Sequence, residues 1–88
     1  MRVIKSERRG NLVVIGVWLD ESMTQPDGAP DPSYVVEMTW PVRPPLPLTP
    51  YEWVTVIRTE LALTCRRALA ERRGQPEPRL PDVGESLG

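Results

Sequence analysis

The side chains in this sequence best suited to binding chemistry are four arginines near the end of a predicted helix: Arg66, Arg67, Arg72 and Arg73. Guanidinium groups bind phosphate oxygens through paired hydrogen bonds, so a local cluster can contact nucleic acid even in a nearly neutral chain. A purely structural explanation is also available, because cations at a helix C-terminus are stabilised by the helix dipole. The nearby Glu71 dilutes the positive charge. These four arginines are therefore candidate phosphate contacts, and nucleic acid is the alternative partner class.

Residues that could support catalysis or hold a metal are scarce. The 88 residues include no histidine and one cysteine, which excludes a His-based mechanism, a Cys/His zinc site and a disulfide framework. The carboxylates are spread over the chain without a pair at a spacing typical of acid–base catalysis. Cys65 falls on the apolar stripe of the predicted helix, where a thiol usually packs as a small hydrophobic group. We expect no enzyme activity, no cofactor and no metal site.

The composition is that of a small globular domain. Hydrophobic residues make up 40% of the chain and charged residues 26%, which is too apolar for a disordered protein. The net charge of −1 provides no overall field to attract nucleic acid or an anionic membrane. A chain of this length forms at most one domain, and a single core of this size is marginal.

The sequence also carries hints of location and origin. The longest apolar run, 12–19, is too short to cross a bilayer, and the charged N-terminus lacks the apolar stretch of a signal peptide. We expect a cytoplasmic protein, or a virion protein if it is a phage component, with no membrane partner. Ten arginines against one lysine are typical of a high-GC bacterium or one of its phages.

These residues must be positioned by a small set of predicted elements. The patterns predict an α+β fold in residues 1–74: a three-stranded antiparallel meander followed by one long C-terminal helix packed on the sheet. The strands are expected at about 2–7, 11–19 and 34–40, and Gly10–Asn11 suits a tight turn. The helix is expected at 50–73, with Thr49 and Glu52 forming a capping box and Gly74 ending it. An alternative is that the first strand pairs with another subunit, since edge strands are templates for association.

Proline-rich segments occupy the rest of the chain. Residues 41–49 are expected to form a polyproline connector between the third strand and the helix, and 75–88 an extended tail. The string Arg43–Pro47 resembles a ligand for SH3 or WW domains, but a stiff connector explains it completely. The tail has too little apolar surface to fold alone.

Apolar residues are more widely distributed than the predicted fold can bury. The second strand carries apolar residues on both faces and therefore requires cover on both sides. One helix stripe suits contact with the sheet: Trp53, Val54, Ile57, Leu61, Thr64, Cys65 and Ala68. A second row lies on the far side of the helix: Val56, Leu63 and Ala70. This row could be scattered exposed residues, which are normal on protein surfaces, but a helix apolar nearly all round is usually buried all round.

A protein partner would account for this excess of apolar surface. The predicted interface consists of the far helix row (Val56, Leu63 and Ala70) and three residues of the tail (Leu80, Val83 and Leu87). The sequence thus predicts a non-catalytic interaction module, a small structural or accessory subunit of a larger assembly or homo-oligomer, such as a phage particle component or a bacterial complex subunit. The alternative is a small nucleic-acid-binding regulator that uses the four arginines.

Overall fold

The computed structural model describes residues 1–74, 81 and 83–86 and confirms the α+β fold. Three antiparallel strands form one open sheet, and one long helix follows them. The elements are β1 (Arg2–Arg9), β2 (Leu12–Trp18), a short 3-10 turn (Pro32–Tyr34), β3 (Val35–Pro41) and α1 (Pro50–Arg72). Most predicted bounds lie within one residue of those observed, and β1 continues two residues further than expected.

The sheet is a meander in the order β1–β2–β3, so β2 is central and β1 is an edge strand. β1 extends to Arg9 because Arg9 pairs with Leu12, which leaves only Gly10 and Asn11 for the turn. Gly10 has a φ of 60°, a conformation that glycine adopts without steric cost. A β-bulge interrupts the β1–β2 register between Val3 and Lys5. The hairpin therefore follows from local turn chemistry, whereas the bulge leaves no obvious signature in the sequence.

The connector between β3 and α1 differs from the extended polyproline segment expected for 41–49. Pro41 belongs to β3 and pairs with Leu12, a position tolerated because β3 is the other edge of the sheet. The backbone N–H of Leu48 donates to the carbonyl of Pro45 at 2.9 Å, which folds the connector into a turn. The expectation of one straight polyproline stretch was wrong, because this hydrogen bond reverses the chain.

The helix begins and ends on specific side-chain contacts. The Thr49 hydroxyl accepts from the Glu52 N–H and the Glu52 carboxylate accepts from the Thr49 N–H, so the predicted capping box is present. The Trp53 indole N–H donates to the carbonyl of Pro41 at 2.8 Å and ties the first turn to the end of β3. At the other end, Gly74 has a φ of 69°. α1 runs antiparallel to β3, because Trp53 near its start contacts Pro41 at the end of β3 and Arg72 at its end contacts Ser33, just before β3.

The core lies between α1 and the end of β2. Val17, Leu19 and Cys65 form the buried cluster. Partly buried residues from the sheet, the loop and the helix pack around it: Ile15, Tyr34, Val36, Leu61, Ala68 and Leu69. Two members of the predicted sheet-facing stripe, Val54 and Thr64, are instead exposed, and Leu69 packs on the core although it lay outside that stripe.

The helix position explains these differences. The Trp40 indole on β3 donates to the Glu60 carboxylate at 2.8 Å, which adds to the bond between Trp53 and Pro41. Both bonds hold the helix toward β3, so its opposite side, which includes Val54, is left beside β1 without full cover.

The sheet face that points away from the helix is covered by its own charged side chains. Lys5, Gly16 and Glu37 are neighbours across the three strands, and the Lys5 ammonium lies 3.3 Å from the Glu37 carboxylate. This ion pair spans the central strand where Gly16 has no side chain. Val14, beside it, is only 3% exposed, between its cross-strand neighbours Glu7 and Thr39. Part of the cover that β2 required therefore comes from within the sheet itself.

Candidate interaction surface

An apolar groove runs between β1 and α1. We call it the β1–α1 groove; its main cavity has a volume of about 370 Å³. The sheet contributes Val3, Ser6, Val13 and Ile15, and the helix contributes Val54, Ile57, Arg58 and Leu61. Two smaller cavities of about 280 Å³ and 250 Å³ share residues with it and extend it toward Met1 and toward Pro50. The groove therefore follows the helix along most of the sheet.

The lips of the groove are exposed apolar residues. Val3 on β1 is 54% exposed and Val54 on α1 is 49% exposed. The groove exists because the two tryptophan hydrogen bonds hold α1 over the β3 side of the sheet, so the helix does not reach the edge strand. Removing such apolar surface from water is favourable by about 25 cal/mol per Å². Covering the groove with an apolar surface would therefore lower the free energy of the system.

The edge strand beside the groove carries an alternating row of charges. Lys5, Glu7 and Arg9 lie on the face away from the helix, with Lys5 Nζ 3.6 Å and Arg9 Nη2 2.5 Å from Glu7 Oε1. Ser6 and Arg8 alternate with them and face the groove side of the sheet. Within the described residues β1 pairs only with β2, so its outer edge is open.

The residues of the interface predicted from the sequence do not form one continuous surface among the described residues. Leu63 is 55% exposed on the far side of the helix, while Val56 and Ala70 are partly buried. Val83 is fully exposed. Leu80 and Leu87 lie outside the described residues. The far helix row and the β1–α1 groove are therefore two distinct surfaces of the same helix.

The candidate phosphate contacts are partly engaged within the chain. Arg72 donates from Nε to the Ser33 carbonyl and from Nη1 to the Ala68 carbonyl, and Arg73 donates to the Asp20 carboxylate at 2.8 Å. Arg66 and Arg67 are exposed on the helix surface. Two of the four guanidinium groups thus tie the helix end to the loop between β2 and β3.

A second group of arginines lies at the opposite end of the sheet. Arg8 and Arg43 line a polar cavity of about 450 Å³ with Asn11, next to the hairpin turn. The Arg8 guanidinium donates to the Gly10 carbonyl at 3.0 Å. Because β2 separates this end from the helix C-terminus, the arginines do not form one continuous basic surface.

Three carboxylates have lowered pKa values because hydrogen bonds stabilise their charged forms. Hydrogen bonds from Ser22, and then from Arg73, lower the pKa of Asp20 from 3.8 to about 2. Hydrogen bonds from Ser33 lower the pKa of Asp31, and those from Thr49 lower the pKa of Glu52. All three carboxylates cap turns or a helix start. Their pKa values therefore reflect structural hydrogen bonds.

The single cysteine of the chain lies in the core. Cys65 is buried in the core, and burial raises the pKa of its thiol, which disfavours the reactive thiolate. No group of three or more potential metal ligands comes together in residues 1–74, 81 and 83–86. In the same part of the chain, no helix has the length and apolar character needed to span a bilayer.

Comparisons of this chain with known protein families, with curated proteins and with solved structures found no match. Sequence reasoning missed the β1–α1 groove, because helix periodicity places Val54 on the sheet-facing stripe and cannot say which strand lies beneath it. The exposed apolar residues of β1, Val3 and Ile4, were the available signal.

Proposed function

We propose that this protein is a non-catalytic interaction module, a small structural or accessory subunit of a larger assembly. A phage particle component or a subunit of a bacterial complex fits this description, in the cytoplasm or in a virion. The observation that carries the proposal is the β1–α1 groove, an apolar concavity open beside an unpaired edge strand.

The groove supports an interface because it combines two features that partners use. Contiguous exposed apolar surface on a small soluble protein is typical of interaction sites. An open strand edge supplies backbone donors and acceptors to which another strand can be added. Val3, on the lip of the groove, belongs to that same edge strand, so one partner could contact both features.

The far helix row adds a second surface to the proposal. Leu63 projects from the side of α1 opposite to the groove. A subunit in an assembly commonly contacts more than one neighbour, and two separate surfaces on one helix suit that role. Val83, fully exposed, offers a further apolar contact.

Nucleic-acid binding has weaker support. Arg72 and Arg73 already donate to acceptors within the chain, and the arginines of the hairpin end lie across the sheet from them. Phosphate contacts would make affinity fall steeply with salt, whereas apolar association holds or strengthens. A salt titration of binding therefore separates the two functions.

The mass of the native particle tests the proposal. The chain alone has a mass of 10.0 kDa. We expect the protein, isolated gently from its own cells, to sediment in a particle clearly heavier than that. The variant Val54→Glu should release it, because a charge in the groove opposes apolar contact. Leu46→Glu is the matched control, since Leu46 is 95% exposed on the connector, away from both surfaces. A native particle of a single chain would overturn the proposal.

A further inference from the structure

We infer that one partner of this protein is a second copy of the same chain, joined to it edge to edge through antiparallel pairing of the two β1 strands. This inference rests on the proposed function and specifies one partner. Its basis is the order of charges along the open edge of β1, which is self-complementary in one register.

Symmetry restricts how two β1 edges can meet. A two-fold axis that relates two antiparallel edge strands stands perpendicular to the sheet, so both helices lie on the same face of the combined sheet. Residues directly opposite each other in an antiparallel pair point to the same face. The axis must then pass beside one residue of β1, and that residue meets its own copy.

The charges select the position of that axis. Of the four residues from Lys5 to Arg8, only Ser6 is uncharged. An axis at Arg2, Lys5, Glu7, Arg8 or Arg9 would place that charged residue opposite its own copy, which is destabilising. Val3 and Ile4 adjoin the β-bulge, where the regular pairing of β1 is interrupted. An axis at Ser6 places Lys5 of each copy opposite Glu7 of the other, so the Lys5–Glu7 ion pairs of the two copies meet with opposite charges facing each other.

The surroundings of this axis favour the same arrangement. Lys5 and Glu7 both lie on the sheet face away from the helix, so they meet there without entering the groove. Ser6 lies on the groove side, where a small hydroxyl allows close approach and can hydrogen-bond to its own copy. The β1–α1 grooves of the two copies then adjoin across the axis.

Two of the three arginines of β1 are paired with carboxylates within each copy, and the third, Arg8, donates to the Gly10 carbonyl. Arg2 lies 3.8 Å from the Glu21 carboxylate, and Arg9 lies 2.5 Å from that of Glu7. These ion pairs reduce the repulsion between the ends of the two strands. The charges on an edge strand can also serve to prevent pairing with other chains, and charge reversal on β1 distinguishes the two roles.

Charge reversal on both sides of the pair tests the inference directly. We expect the purified wild-type chain to reach twice its monomer mass in sedimentation equilibrium. Lys5→Glu alone and Glu7→Lys alone should each weaken this dimer about tenfold or more, because two attractive pairs become repulsive. An equimolar mixture of the two variants should form a heterodimer, since every pair across the axis is then opposite in charge. Native mass spectrometry separates the heterodimer from the two homodimers by mass.

A control separates dimer effects from effects on the fold. Glu37→Gln removes the ion pair that Lys5 makes with β3 but leaves the β1 edge unchanged, so its dimer should match that of the wild type. Circular dichroism of each variant verifies that the monomer remains folded.

Two results would overturn the inference. One is a wild-type chain that stays monomeric up to its solubility limit, and the other is a variant mixture that forms no heterodimer. If the native particle is nevertheless heavier than one chain, only the second-copy inference fails and the proposed function stands with a different partner.

Discussion

Arg73, immediately after the end of α1, donates from Nη2 to a carboxylate oxygen of Asp20, 53 residues earlier, at 2.8 Å. Asp20 follows β2 and also accepts hydrogen bonds from the backbone N–H and the hydroxyl of Ser22. One carboxylate thus organises the start of the β2–β3 loop and attaches the end of the helix to it. Its protonation should loosen both.

Acid should therefore weaken the fold through Asp20. The pKa of Asp20 is about 2 in the folded chain and returns toward its ordinary value of 3.8 on unfolding. A lowered pKa stabilises the folded state above the unfolded pKa, and this contribution is lost as the pH falls through the folded pKa. We expect Asp20→Asn to lower the melting temperature at neutral pH and to flatten its dependence on pH between 3.8 and 2, as measured by circular dichroism.

Two other carboxylates should also contribute to the loss of stability in acid. The pKa values of Asp31 and Glu52 are also lowered, so Asp20→Asn should retain part of the acid sensitivity. Asp27→Asn serves as the control, because Asp27 accepts a hydrogen bond from Ala29 that an asparagine oxygen can also accept. An Asp20→Asn profile that parallels the wild type at every pH would contradict the prediction.

Core and surface positions should respond differently to substitution. Leu19 is 1% exposed in the buried cluster, so Leu19→Ala should reduce the free energy of unfolding by about 2–5 kcal/mol through the cavity it leaves. Leu63 is exposed on the far helix row, so Leu63→Glu should change the free energy of unfolding by less than about 0.5 kcal/mol. Urea denaturation measures both values.

Leu63→Glu also tests the far helix row as an interface. Leu63→Glu should remove the chain from its native assembly although the fold is preserved, because a charge enters an apolar contact. If Leu63→Glu unfolds the chain, or if loss of assembly merely follows loss of stability, this row is not a partner surface.

A side chain at Gly16 should disturb the sheet at its centre. A Cβ atom there would lie 3.1 Å from the Cβ of Lys5, closer than ordinary van der Waals contact. Gly16→Val should therefore reduce the free energy of unfolding by about 1–3 kcal/mol through overpacking. Thr39→Val is the control, since it keeps a β-branched shape on the same sheet face. Equal stability of the two variants in urea would contradict this prediction, because β1 would then shift enough to accommodate the added side chain.

Removal of residues 75–88 should separate folding from binding. The described contacts of the helix end, from Arg72 to Ser33 and from Arg73 to Asp20, remain in the shortened chain. We expect an unchanged melting temperature in calorimetry and weaker association with the native assembly, because the predicted contacts Leu80, Val83 and Leu87 are lost. A large drop in melting temperature would make the tail a strap across its own domain, and an unchanged association would make it an inert appendage.

The features predicted correctly from the sequence are those that depend on near neighbours. The capping box at Thr49 and Glu52 needs only three residues of spacing, and the turn at Gly10 needs only a residue that accepts positive φ. The β-branched run that forms β2 is likewise a local signal. Local chemistry thus determined the elements and, through the short hairpin, the pairing of the first two strands.

The position of the helix depends on contacts between distant residues, and sequence periodicity could not predict it. A stripe of apolar residues identifies the helix side that faces a sheet but not the strand over which it lies. Trp53 bonded to Pro41 and Trp40 bonded to Glu60 determine that position. The groove, and the exposure of Val54, follow from these two bonds.

The cover over Val14 was unpredictable for a similar reason. The pattern of β2 required a second layer, yet Val14 is buried beside cross-strand neighbours and an ion pair that spans Gly16. Strand register decides which charged side chains lie next to an apolar one. That register is a property of the folded sheet.

The hydrogen bond between Trp53 and the Pro41 carbonyl also affects how far the fold depends on an unbroken backbone between β3 and α1. It joins the residues on either side of the connector directly, so 42–49 form a loop whose ends are held together without the loop itself. The covalent link then serves mainly to keep the helix at a high effective concentration near the sheet. A backbone break beside the exposed Leu46 should yield two fragments that find each other again in solution, and an inserted sequence at the same point should leave the domain intact.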